Sequence, residues 1–204
     1  MRRSTDAGGR VGLRLAVGVA VLLAAAAPLR AGSISFSGGT TGVFTNPLGD
    51  TFSGAGTDSI SFGTPPGALS FTGGSFTAAA GQVFALGSIG FYNAENVSPL
   101  MGVDLGLTLN LTDGSKAPGT LTLPLTVTNT LELGQPDQLV LKPDTELGTI
   151  TGSDGKTYSL MVKGFGSGCD CNGMTTYSPT LAANEGQVVC TAIYGQIVDK
   201  GPPT

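Results

Sequence analysis

The chain has no histidine and no tryptophan in 204 residues. The missing imidazole excludes Ser–His–Asp and Cys–His catalysis and every zinc site with a histidine ligand. The missing indole leaves Tyr92, Tyr158, Tyr177 and Tyr194 as the amphipathic aromatics for a sugar platform. Tyr177, in the polar stretch "GMTTYSP", is the expected exposed one; Tyr158 and Tyr194 sit in strand-like segments and are expected to pack. Charge is sparse, at 12% of residues, and cysteine occurs only three times. No G-x-S-x-G, G-x-x-x-x-G-K or G-x-G-x-x-G motif is present, so no nucleophile elbow or phosphate cradle is indicated.

Positive charge is unevenly placed. All five arginines lie within residues 1–31, together with Asp6. The remainder keeps five lysines against 13 acids, a net charge of about −8. An acidic surface without arginine disfavours phosphate backbones and anionic membranes. Nucleic acid is therefore not an expected partner, and the acidity reads first as a source of solubility.

The N-terminal arginines precede an apolar run, "LAVGVAVLLAAAA" (Leu15–Ala27), and then small residues ending in "PLRAGS". That order describes a secretory signal peptide, residues 1–31, cleaved after Ala31 or an earlier alanine. The run falls short of the roughly 18 apolar residues of a retained anchor. "STDAGG" separates Arg2 and Arg3 from the apolar core, which argues against a twin-arginine signal. The expected location is outside the cell or on its surface, or the periplasm if the protein is retained. No membrane span is expected in the mature chain.

What remains reads as strand, turn, strand. In "VDLGLTLNLT", Val103, Leu105, Leu107, Leu109 and Leu111 alternate with polar residues and glycine. Period-two alternation puts all five on one face of a strand. Leu121, Leu123, Leu125 and Val127 repeat the pattern between threonines, after the turn-rich "DGSKAPG". These predict two antiparallel strands, each with one buried and one wet face. Pro124 cannot donate to a ladder and suggests an edge strand or an outward-facing N–H position. Shorter strands are expected in "SISFS", "SISFG", "ALSFT", "QLVLK", "KTYSLMVKGF" and "QVVCTAIYGQIV". "QVFALGSIGFYN" reads as two strands or one bulged strand, and "SPTLAANEG" as one short helical turn. The expected fold is all-β: a single antiparallel β-sandwich over residues 32–200, jelly-roll-like with an immunoglobulin-like arrangement as the alternative, before a short tail at 201–204.

The stretch "GFGSGCDCNGM" carries Cys169 and Cys171, with Cys190 further on. Three thiolates and no imidazole fall short of a four-ligand zinc site. Cysteines two apart on an extended chain point in parallel and pair poorly with each other. One of Cys169 and Cys171 is therefore expected to bridge to Cys190, in an oxidising compartment. The third thiol is left exposed or links two chains as a homodimer. A copper(I) thiolate site is the alternative.

Asp104, Glu95, Glu132 and Glu185 are the acids available for paired-carboxylate hydrolysis. No catalytic residue is assigned, and Asp104 reads more simply as an outward strand residue. The acidic turns at Asp50, Asp113, Asp137, Asp144, Asp154 and Asp170 offer oxygens for calcium; no cofactor and no metal ligand is assigned.

Several stretches occur in a telling order: "TGVFTNP", "GQVFALGSIGFYN", "VDLGLTLNLTD", "GKTYSLMVKGFGSG" and "NEGQVVCTAIYGQI". Together they resemble the bacterial choice-of-anchor K domain over most of residues 33–198. The resemblance implies an exported all-β domain, often followed by a C-terminal sorting signal, and brings no established enzymatic activity and no catalytic residues. Residues 201–204 carry no such signal, so release or another means of retention is expected. The resulting expectation is a non-catalytic domain, structural or adhesive in extracellular material, with polysaccharide or cell-envelope material as partner. A carbohydrate- or calcium-dependent binding module is the first alternative; a glycan-active enzyme is the second.

Overall fold

The computed structural model describes residues 33–49, 51–95, 100–128, 135–169 and 176–201. Among the described residues thirteen strands run in chain order: β1 (Ser35–Gly49), β2 (Phe52–Ser53), β3 (Ser59–Phe62), β4 (Gly67–Gly73), β5 (Ser75–Ala79), β6 (Val83–Tyr92), β7 (Leu100–Leu111), β8 (Thr120–Thr128), β9 (Asp137–Val140), β10 (Thr145–Thr151), β11 (Thr157–Phe165), β12 (Thr180–Ala183) and β13 (Val188–Asp199). One sheet has the order β12-β9-β8-β7-β1-β5, the other β10-β11-β13-β6-β4-β3-β2. Every pairing between them is antiparallel. The two sheets close on one core as a β-sandwich, as the alternation predicts. The six- and seven-stranded sheets exceed the four and three strands of an immunoglobulin constant-type domain. The chain changes sheet repeatedly, at β1–β2, β4–β5, β5–β6, β6–β7, β9–β10, β11–β12 and β12–β13.

Alternation and burial agree residue by residue in β8. Leu121, Leu123, Leu125 and Val127 are buried, and the threonines between them are exposed. Full burial of such a side chain contributes about 1.5–3 kcal/mol relative to exposure. Pro124 does not mark an edge strand, because β8 lies between β7 and β9. The strand tolerates it because β9 pairs only with Thr126–Thr128, so Pro124 lies past the end of that ladder. "QVFALGSIGFYN" forms one strand with a bulge: Ile193 pairs with Gly87 and Tyr194 with Ala85, which leaves Leu86 as the extra residue. The expected helical turn in "SPTLAANEG" is instead β12; Ala183 is buried and Leu181 packs on the core once the segment pairs with β9.

At one corner the sheets are stitched together. A single residue, Gly74, separates β4 in one sheet from β5 in the other. The buried Thr40 sits beside it. Its Oγ1 donates to the Leu86 carbonyl of the opposite sheet and accepts from the Gly74 N–H at 3.0 Å. Beneath the corner, the Phe71 ring fills the space between two glycines, Gly42 and Gly87. The turn after β5 gathers both ends of the domain: the Ala80 N–H donates to the Ile34 carbonyl at 2.9 Å, and the Gly81 N–H to the Ile197 carbonyl at 2.7 Å.

Candidate functional site

Two features stand outside the core packing: a bonded strap on the outer face of the seven-stranded sheet, and an open cleft at that sheet's β2 edge.

The strap continues β11. Beyond Phe165 the Gly166 N–H donates to the Ala192 carbonyl, and the Ala192 N–H to the Gly168 carbonyl. This extension brings Cys169 alongside Cys190 on β13, with Cα atoms 5.1 Å apart, and the two form a disulfide. Of the two pairings open to Cys190, the structure has the one with Cys169. Cys171 lies outside the described residues. Thr191 Oγ1 adds a bond to the Gly166 carbonyl at 2.6 Å, and Phe165 bridges to Ser178 at the loop's far end. Tyr177 is thereby laid against Tyr194, ring centroids 5.1 Å apart, and is half-buried. It is not the exposed platform expected of it. Tyr194 packs as expected.

Tyr158 also packs, edge-on to Phe36, and donates to the Asp154 carboxylate at 2.9 Å. Burial raises its phenol to about 12, and the neighbouring carboxylate adds to the rise. Asp154 is held below the ordinary carboxylate range, chiefly by the Lys156 backbone N–H.

The candidate acids are dispersed. Asp104 faces out from β7 and accepts from the Asn46 side chain at 2.9 Å. Glu95 and Glu185 lie on loops that Asn93 ties together, through its bonds to the backbone of Ala183, Gly186 and Gln187. Asp113 caps its own turn through Ser115, and Asp144 pairs with Lys163. Asp137 is buried at the start of β9. Glu132, Asp50 and Asp170 lie outside the described residues. Among the described residues no three acidic or cysteine side chains gather as a metal site.

The cleft was not foreseen from sequence. Phe52 pairs with Phe62 and Ser53 with Ser61 across the short β2–β3 ladder. Thr57 closes the turn between them: its Oγ1 donates to the carbonyls of Gly54 and Ser59 at 2.8 and 2.7 Å. Backbone bonds from Phe44 to Thr57 and from Gly56 to Phe44 fasten this turn to β1. The Gly63 N–H donates to the Thr51 carbonyl at 3.0 Å, so the two strand ends are held in place. Between them is an open depression of about 100 Å³, lined by Thr51, Phe52, Ser53, Ser61, Phe62, Gly63 and Pro66. Phe62 supplies a buried floor, and Phe52 stands at the side with 43% of its surface exposed. The only sequence signal was a phenylalanine in "DTFSG", outside any alternating run.

No protein-family model and no curated protein matches the chain. The resemblance to the choice-of-anchor K domain therefore rests on the order of the quoted stretches. Among the described residues no helix is long and apolar enough to cross a membrane.

Proposed function

We propose that this chain is an exported bacterial domain of the choice-of-anchor K kind, non-catalytic, and structural or adhesive in extracellular material. The observation that carries the reading is the Cys169–Cys190 disulfide on the outer face of the sandwich. Cystines of this sort persist in oxidising compartments, in keeping with the signal-like residues 1–31. The acids support a structural role: Asp104, Asp113, Asp144 and Asp154 each serve a neighbouring side chain or turn. A strand-rich body in which the segment from Gly166 to Cys169 is fastened to β13 suits a module that must persist outside the cell. Extracellular polysaccharide or cell-envelope material is the proposed partner.

The test is retention of the purified domain by insoluble polysaccharides and by cell-envelope material, with and without calcium. Saturable retention by one of them is expected. Absence of retention by every material would overturn the adhesive reading, and calcium-dependent retention would redirect attention to the acidic turns. A covalent dimer on a non-reducing gel would add self-linkage through Cys171.

A further inference from the structure

We propose that the cleft beside Phe52 binds a neutral polysaccharide chain, with Phe52 as the stacking platform. This rests on the extracellular reading above and gives it a site and a ligand class. Eight of the nine phenylalanines are buried in the core, at 8% exposure or less; Phe52 is the exception at 43%. An exposed phenyl ring on a two-residue edge strand contributes little to the core. Covered by the C–H face of a sugar ring, it would regain the apolar burial that it lacks in the free protein.

The surroundings of the ring select the ligand. The hydroxyls of Thr51, Ser53 and Ser61 line the same depression and have no hydrogen-bond partner among the described residues. Each can donate and accept, as sugar hydroxyls require. None of the seven lining residues is charged, so an anionic polymer finds no cation here. A peptide adding as a strand would have only Phe52 and Ser53 to pair with, too short a ladder to hold it.

The absence of tryptophan makes a local test possible. Phe52→Trp places a single indole at the cleft, and its emission reports on that site alone. Soluble β-glucan, xylan and galactomannan are the probes, with polygalacturonate as the charged control. The expected result is a saturable emission shift with at least one neutral polymer and none with polygalacturonate. Retardation of the unmodified protein in native gels containing the same polymer should weaken about tenfold in Phe52→Ala and persist in Phe52→Tyr. Equal retardation of the unmodified protein and Phe52→Ala, or a silent indole at every polymer, overturns the site. If the domain is still retained by envelope material in that case, the extracellular reading stands and only the cleft is wrong. An emission shift driven by an unstructured peptide instead of the polymers would likewise overturn the carbohydrate assignment. Circular dichroism and thermal unfolding of each variant confirm that the fold is kept.

Discussion

Phe71 lies against the bare backbone of Gly87: a Cβ placed on that glycine would fall 2.5 Å from the ring's Cζ. The same position has φ +146°, a conformation that side chains rarely adopt. Gly42 approaches the other side of the ring, where an added Cβ would sit 2.6 Å from Cδ1. Gly87→Ala is expected to destabilise the domain by about 2 kcal/mol or more, and Gly42→Ala by about 1–3 kcal/mol. Chemical denaturation measures both. Shrinking the ring with Phe71→Leu should recover part of the Gly42→Ala loss in a double-mutant cycle. Additive losses would show that the ring is not what Gly42 accommodates.

Thr40 holds the stitched corner through its hydroxyl. Thr40→Val keeps the shape and removes the bonds to the Leu86 carbonyl and the Gly74 N–H. Left without that partner, the buried groups should cost about 1–3 kcal/mol. Urea titration of Thr40→Val and Thr40→Ser separates the hydroxyl from the methyl: the serine variant should lie nearer the unmodified protein.

The disulfide closes a loop between residues 21 apart in sequence. In the chain-entropy account a loop of this length contributes about 3 kcal/mol. Peptide mapping under non-reducing conditions should recover Cys169 joined to Cys190, also in a Cys171→Ser background. Denaturation with and without a dithiol reductant should differ by about that amount. A Cys171–Cys190 peptide as the main species would contradict the pairing described.

Tyr158 predicts a dependence on alkaline pH. Its folded pKa, about 12, lies above the ordinary phenol value of 10.0, so the folded state favours the protonated form. The associated stability is complete below pH 10 and is lost as pH rises toward 12. Unfolding free energy measured between pH 9 and 12 should fall more steeply for the unmodified protein than for Tyr158→Phe. Parallel curves would mean that this phenol does not carry the effect.

The acid side offers a smaller counterpart. Glu146 is lowered from its ordinary value, first by its bond to Lys200, at 2.6 Å. Its contribution is present above pH 4.5 and is lost as pH falls through the folded pKa. Both partners are exposed, so Glu146→Gln should change stability by no more than about 0.2–1 kcal/mol, with the difference reduced at high salt.

Much of the fold was legible because the longest strands carry an uninterrupted alternation. The aliphatic faces of β7 and β8 could be read directly. The strands that were not foreseen, β2, β5, β10 and β12, are short or rich in Ser, Thr, Gly and Ala, and their burial comes from neighbours distant in sequence. Thr180 and Leu181 become strand only by pairing with Val140 and Leu139. The disulfide was half legible: chemistry limited the partner to Cys190, but the choice of Cys169 depends on how β11 runs on past Phe165. The cleft was barely legible. The one local sign is that Phe52 stands outside any alternating run; its exposure follows from its place at the end of the sheet.

The bonds from the Ala80–Gly81 turn to Ile34 and Ile197 have a consequence for display. Both routes out of the domain leave from one pole. Val83 begins β6 at that pole and Tyr92 ends it, about 30 Å away, level with Ala68, Ser61 and the Phe52 cleft. Anything joined at either end would therefore attach at the pole opposite the cleft and leave the cleft uncovered.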